Sequence, residues 1–100
     1  MRHYTVRLSP EAQTDLVHIY GYVVERSGST DTADRYIERI SGFLSSFDVF
    51  PERGTIRDEM RPGLRIIGFE GSTSVAFVVE DADVVILRVL AGGREFRVND

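Results

Sequence analysis

The sequence predicts an α+β fold in which a strand and an antiparallel helical hairpin precede a three-stranded antiparallel meander. Apolar residues recur at helical spacing from residue 12 to residue 47, with one break at a Gly-Ser turn. After residue 63 the apolar residues instead form three short runs of strand length, separated by only two or three residues. With 100 residues the chain has room for one core, so we expect a single domain over residues 1–100.

The first strand and first helix follow from the N-terminal residues. His3 to Leu8 alternates apolar and polar side chains, as a half-buried strand does. Ser9 and Pro10 predict a helix start, since a Ser hydroxyl caps free amides and Pro suits the first helical position. Gly28 predicts a left-handed C-cap. The apolar face of this helix comprises Ala12, Leu16, Ile19, Tyr20 and Val23.

A second helix is predicted directly after this one. Ser29, Thr30 and Asp31 are all suitable N-caps, and the helix must end before Pro51. Because the link between the helices is so short, they form an antiparallel hairpin. The apolar face of the second helix comprises Ala33, Tyr36, Ile37, Ile40, Leu44 and Phe47.

The C-terminal half predicts the meander. Phe50 to Gly63 is polar and contains Pro and Gly, so we expect an irregular connection there. The short links after it require antiparallel hairpins, and the helices are expected to cover one face of the resulting sheet. The three predicted strands are Leu64–Phe69, Thr73–Glu80 and Val84–Leu90. No conformation is predicted for the tail from Arg94 to Asp100.

Composition excludes several classes of protein. The chain has no Cys, which excludes disulfides and thiol nucleophiles and fits a cytoplasmic location. No apolar run approaches the roughly 18 residues of a membrane span, so no membrane association is expected. The net charge is −4, which disfavours binding to a phosphate backbone. All 12 cations are Arg, so chemistry that depends on Lys is excluded.

Candidates for acid–base or metal chemistry are few. The chain has only His3 and His18, and no Tyr follows Tyr36. His18 shares a predicted helix face with Asp15 and Tyr22, and these three side chains could be read as metal ligands. A solvated surface histidine is the favoured interpretation. We therefore predict no metal site and no cofactor.

Arg88 is more informative because it interrupts the apolar run VVILRVL. A guanidinium within an apolar strand must reach water, a carboxylate or a ligand anion. One interpretation pairs it within the chain, for example with Glu70 or Glu80 on a neighbouring strand. The other leaves it on an open sheet face, where it binds a partner's carboxylate or a phosphate.

The order of the motifs resembles a known family. LSPEAQTDLVHIYGYVVERSGS, ADRYIERI, FPERG, RPGLR and VVILRVLAGGRE occur in the order and spacing of the ParE branch of the RelE/ParE toxin superfamily, from Val6 to about Glu95. The resemblance implies a toxin of a type II toxin–antitoxin system, neutralised by a ParD-like antitoxin with a ribbon-helix-helix DNA-binding domain. ParE-like toxins inhibit DNA gyrase without catalysis, whereas RelE-like toxins cleave mRNA on the ribosome.

Residue types favour the gyrase branch. The ribonuclease branch uses Lys and Arg together with a C-terminal Tyr or His, and this chain lacks the Lys, the C-terminal Tyr and the C-terminal His. It also has Ala91 where many relatives carry His. If the chain were a ribonuclease, its catalytic residues would be Arg65, Arg88, Arg94 and Glu95. A third hypothesis is a degenerate toxin, kept for antitoxin binding and promoter autoregulation.

The resemblance also implies two binding surfaces. The expected target-binding residues are Arg94, Phe96 and Arg97. The expected antitoxin-binding residues are Tyr22, Tyr36, Phe43, Arg65, Phe69 and Arg88. For each of the four aromatic side chains among them, an internal core position is the favoured interpretation.

Overall fold

The computed structural model describes residues 3–92 and Arg94. The elements follow in the order β1 (Thr5–Leu8), α1 (Pro10–Ser27), α2 (Thr30–Ser45), a 3₁₀ turn (Ser46–Asp48), β2 (Thr55–Ile56), β3 (Arg65–Phe69), β4 (Thr73–Glu80) and β5 (Asp83–Leu90). The predicted α+β class, helical hairpin and meander strands are confirmed. None of the helices in this described part is long and apolar enough to span a bilayer.

The sheet differs from the prediction, because it is a mixed sheet of five strands in the order β1-β5-β4-β3-β2. The meander β3-β4-β5 is antiparallel, but β1 adds to its outer edge parallel to β5, with Leu8 opposite Ile86. At the other edge, Thr55 and Ile56 pair with β3 inside the segment predicted to be irregular. The predicted three-stranded meander is therefore extended by one further strand at each edge.

The helix boundaries are set by the predicted caps. The Ser9 hydroxyl accepts the Ala12 amide at 3.0 Å, and Gly28 takes a left-handed φ of 69°. Ser29 caps α2 in the same way, since its hydroxyl accepts the Thr32 amide at 3.1 Å. With only two residues between α1 and α2, the helices form the expected hairpin.

The core lies between the helical hairpin and one face of the sheet, which we call the helix side. Phe47 and Phe77 are fully buried there, with ring centroids 4.7 Å apart. The buried residues of this cluster are Ala12, Ile19, Ile40, Leu44, Phe47, Val75, Phe77, Val84, Ile86 and Val89. The helices thus cover one face of the sheet, as predicted.

The opposite face, which we call the open side, carries a smaller apolar cluster. Leu64, Ala76 and Val78 are buried in it, and the turn that contains Met60 packs against them. Backbone hydrogen bonds hold that turn, including 2.8 Å from the Arg57 amide to the Leu64 carbonyl. The connection before β3 is therefore ordered by packing against the open side.

Gly54 shows how tightly this connection meets the sheet. Its φ is +78°, and a Cβ at this position would lie 2.9 Å from the Ile66 carbonyl carbon and in closer contact with the carbonyl oxygen. Gly63 has the same φ of +78°, but a Cβ there would meet no atom within 4 Å. The two positions share backbone strain and differ in steric contact.

Replacing each glycine with Ala separates the two effects. Gly63→Ala is expected to cost about 1 kcal/mol of unfolding free energy, from the left-handed backbone alone. Gly54→Ala is expected to cost about 1–3 kcal/mol more, because β2 must move away from β3. Urea unfolding of both variants measures the difference, and equal losses would contradict the close approach.

Candidate functional site

Asp15 and Arg88 form an ion pair that joins α1 to β5. Arg88 Nε donates to Asp15 Oδ2 at 2.8 Å, and Arg88 Nη2 donates to Oδ1 at 2.9 Å. The Val89 amide donates to the same carboxylate at 2.8 Å. The Asp15 side chain is 4% exposed and that of Arg88 15%. Arg88 therefore does pair within the chain, but this bidentate partner is Asp15 on α1 and not one of the example residues Glu70 and Glu80.

The position of this pair follows from the short length of β1. Because β1 ends at Leu8, opposite Ile86, it offers no backbone partner to the part of β5 beyond Ile86. The first turns of α1 take its place, since the Ser9 hydroxyl donates to the Leu87 carbonyl at 2.8 Å and Asp15 accepts the Val89 amide. The sequence contained one signal of this role, since Asp15 lies at helical spacing between the buried residues Ala12 and Ile19.

Electrostatics keep Asp15 ionised. Its burial would raise the pKa of the carboxyl, but the hydrogen bonds from Arg88 and the Val89 amide outweigh that effect and lower the pKa below its ordinary value. The positive charges of Arg88 and Arg94 lower it further. The site is therefore a largely buried, charged pair whose carboxylate accepts three hydrogen bonds from the chain.

Three of the predicted antitoxin anchors belong to an aromatic row beside the core. The Phe43 and Phe69 rings lie 4.9 Å apart, and the Tyr36 and Phe69 rings 5.9 Å apart. All three side chains are half-buried against the helix-side cluster. The Tyr36 hydroxyl and the buried Thr73 Oγ1 are 2.5 Å apart. These residues are core residues that also present one side to the surface.

Arginine side chains flank this row. The Arg53 guanidinium lies 4.2 Å from the centroid of Phe47 and 5.1 Å from that of Phe43, and its Nε is buried without a hydrogen-bond partner among the described residues. The Arg53 carbonyl accepts from Arg65 Nη1 at 3.4 Å. Arg39, at the other end of the row, pairs with Glu70 at 2.7 Å. Arg53 was not predicted as a site residue, although the motif FPERG contains it.

Tyr22 lies apart from the aromatic row. It is 41% exposed, with the Arg26 guanidinium 5.6 Å from its ring centroid. A Cβ at Gly92 would be 3.6 Å from the Tyr22 ring, so the backbone just after β5 passes close to this side chain. The structure thus places Tyr22 beside the end of β5, apart from Tyr36, Phe43 and Phe69.

Arg94 lies between two small clefts. One, of about 80 Å³, contains Asp15, His18 and Tyr22 among its lining residues. The other, of about 250 Å³, opens on the open side of the sheet. The remaining predicted target-binding and catalytic residues, Glu95, Phe96 and Arg97, lie outside the described residues.

No metal cluster is found among residues 3–92 and Arg94, in the sense of three or more His, Asp or Glu side chains that could hold one ion. His18 is exposed, and its neighbour Asp15 is engaged by Arg88 and Val89. The described residues instead bring arginine and aromatic side chains together here.

Comparison with known proteins identifies the family. Residues 6–96 match the family described as the ParE toxin of the type II toxin–antitoxin system parDE. The chain belongs to the ParE toxin family. This confirms the resemblance to the RelE/ParE superfamily, and it establishes the chain as a toxin of a type II toxin–antitoxin system.

Two relatives agree with the assignment to the ParE family. Toxin ParE3 of Caulobacter vibrioides is 33% identical over 78 residues, which are 78% of this chain and 76% of that toxin. Toxin ParE1 of Mycobacterium tuberculosis is 30% identical over 83 residues, 83% of this chain and 84% of that toxin.

Two solved structures share the fold. A chain of the chromosomal ParDE system from P. aeruginosa superimposes with a TM-score of 0.76 at 23% identity, over 89% of this chain and 96% of that one. A chain of the RelBE2 toxin–antitoxin complex from Mycobacterium tuberculosis gives a TM-score of 0.64 at 22% identity, over 94% of this chain and 97% of that one. The mixed sheet with two helices is therefore a fold that this chain shares with both of them.

Replacing Asp15 with Asn tests how much this ParE toxin depends on the buried pair. Folding lowers the pKa of Asp15 below its ordinary value of 3.8. The ionised carboxylate therefore stabilises the fold at pH values above 3.8, and this stabilisation is lost as the pH falls below 3.8. Asp15→Asn removes the charge that Arg88 binds at 2.8 and 2.9 Å, so the free energy of unfolding at neutral pH should fall by roughly 3–5 kcal/mol.

The difference between wild type and Asp15→Asn should shrink as the pH is lowered below 3.8, which urea unfolding at several pH values measures. Glu70→Gln is the matched control, since Arg39 lowers the pKa of Glu70 but water screens this exposed pair. We expect a much smaller loss for it. A constant difference at all pH values would contradict the role of the Asp15 charge.

Proposed function

We propose that this ParE toxin inhibits DNA gyrase through protein–protein contact in the cytoplasm, acting as a single domain. Inhibition without catalysis is what the ParE-like motifs imply. We propose further that a ParD-like antitoxin with a ribbon-helix-helix domain neutralises the toxin, which fits its shared fold with a chain of a ParDE system. Contact with DNA would then be indirect, through the antitoxin.

The engagement of Arg88 by Asp15 is the observation that carries the non-catalytic proposal. Cleavage of a phosphodiester without metal needs cations at the transition state and a group that moves the 2′-hydroxyl proton. Arg88 is mostly buried and already holds a carboxylate. No His or Tyr follows Tyr36 in the sequence, so proton transfer from the sheet would depend on carboxylates. These features favour binding over ribonuclease chemistry.

The antitoxin surface is proposed along α2 and the edge of β3. β2 pairs only with Arg65 and Ile66, so the sheet edge continues past β2 along residues 67–69. An extended segment of the antitoxin can add to this edge, as peptides commonly do at sheet edges. The half-buried aromatic row supplies apolar contacts there, and Arg65 supplies a guanidinium for an antitoxin carboxylate.

Supercoiling by purified gyrase tests the proposed target. Addition of the toxin should reduce supercoiling, and addition of the antitoxin should restore it. In cells, induction of the toxin without antitoxin should arrest growth, with no new mRNA ends at ribosomal A sites. Undiminished supercoiling at a large molar excess of folded toxin would reject gyrase as the target, and new A-site cleavages would support the ribonuclease hypothesis instead.

Charge reversal at Arg65 tests the antitoxin surface. Arg65→Glu should weaken antitoxin binding by about tenfold or more, because it replaces an attraction with a repulsion. Arg61→Glu makes the same charge change on an exposed side chain of the turn before β3 and should leave affinity unchanged. Calorimetry measures both, and equal affinity of the two variants would contradict a role for Arg65.

A further inference from the structure

The open side of the sheet carries a cleft of about 250 Å³ between the turn before β3 and the end of β5. It lies across three neighbouring strands of the meander, on the face that the helices do not cover. The lining residues are Arg57, Met60, Ile66, Ser74, Ala76, Leu90 and Arg94. The cleft is thus formed by regular strands at its base and by the two arginines from the segments beside them.

The lining has a distinct chemistry. Ile66, Ala76, Leu90 and Met60 are aliphatic, and Ser74 provides one hydroxyl. The charged residues of the described lining are two arginines and no carboxylate, although Arg57 forms an exposed pair with Glu59 at 2.6 Å. Guanidinium groups bind carboxylates in bidentate geometry, and an exposed pair such as this exchanges its partner at little cost. The cleft therefore complements a ligand with both apolar and acidic groups.

Size and composition distinguish between kinds of ligand. A cleft of about 250 Å³ is smaller than most sites for whole cofactors or drug-sized molecules, and suits one or two side chains. Single-stranded RNA is usually bound by stacking its bases on aromatic rings, and the described lining contains no aromatic residue. Peptide side chains are the better match.

We propose that this cleft binds an acidic–apolar peptide segment of the protein that the toxin inhibits. The inference rests on the proposed function, in that the target is a protein. Arg94, which lines the cleft, is also the first of the three residues expected to bind the target. The proposed antitoxin anchors Tyr36, Phe43 and Phe69 pack on the helix side, so this cleft and the proposed antitoxin surface are distinct parts of the toxin.

Nuclear magnetic resonance of the full chain tests the cleft directly with a defined probe. The probe is the acetylated and amidated peptide Asp-Leu-Glu-Leu, compared with Asn-Leu-Gln-Leu and with a decamer of adenylate RNA. The acidic peptide should shift the amide signals of Ser74, Ala76 and Leu90. The uncharged peptide should bind about tenfold more weakly, and the RNA should not compete with the acidic peptide.

Variants show whether the arginines of the cleft bind the acidic peptide. Arg57→Glu should weaken binding of the acidic peptide by about tenfold. Arg61→Glu, in the same turn but outside the cleft, should leave the binding affinity unchanged. The amide spectra of both variants report whether the fold is retained. Equal binding by the two variants, no shift with the acidic peptide, or RNA shifting the same amides would overturn the proposal.

The same variants in the gyrase assay separate this proposal from the proposed function. If wild type inhibits gyrase and only Arg57→Glu loses inhibition, both stand. If both variants inhibit like wild type, gyrase remains the target but the cleft is not its contact surface, and the inference is overturned. If wild type does not inhibit gyrase, that target is rejected, and the peptide titration still decides whether the cleft binds acidic segments.

Discussion

The contact of Asp15 with Arg88 and the Val89 amide fixes how the helical hairpin sits on the sheet. β1 covers only the first half of the β5 edge, and α1 must satisfy the rest. A carboxylate at position 15 does so by accepting three hydrogen bonds from two consecutive residues. Apolar residues of similar size often stabilise a core equally well, so the specific contribution of this pair is the position of α1 along β5.

The register shift in β5 determines which side chains reach each face of the sheet. Phe77 lies opposite Ile86 but Ala76 lies opposite Arg88, so Leu87 is an extra residue in β5. A one-residue insertion exchanges the two faces for every following residue. Val89 consequently enters the helix-side core, and Leu90 lines the cleft on the open side. The same bulge lies beside the residue that binds Asp15.

Local chemistry explains what the sequence could predict. Ser9, Gly28 and Ser29 act within one helical turn, and the short links around Gly71 and Ala82 permit only antiparallel hairpins. The partner of β1 could not be predicted in this way, since a parallel pairing of Leu8 with Ile86 joins segments far apart in the chain. β2 consists of only two residues, too few for any periodicity to appear.

The site was less predictable than the fold for the same reason. An Arg inside an apolar strand indicated that a counter-charge was needed, but only the three-dimensional packing of α1 on β5 selects Asp15 over Glu70 and Glu80. Arg53 likewise looks like an ordinary loop residue until α2 and the 3₁₀ turn after it bring Phe43 and Phe47 beneath its guanidinium. The Arg88 contact joins residues 73 positions apart, and the Arg53 contacts depend on how the chain turns back after α2, so the sequence pattern reports neither.

An overall negative charge is compatible with acidic partners, because charges act locally in salt solution. At physiological ionic strength the interaction between exposed charges is largely screened beyond about 8 Å, so a bound segment experiences the side chains around it and not the net charge of −4. Arginine is suited to such local sites. Its planar group can lie over an aromatic ring, as Arg39 does on Tyr36, while its N–H groups bind a carboxylate at the edge, as Arg39 does with Glu70. A chain whose cations are all arginines can therefore present basic surfaces on both faces of its sheet while remaining acidic as a whole.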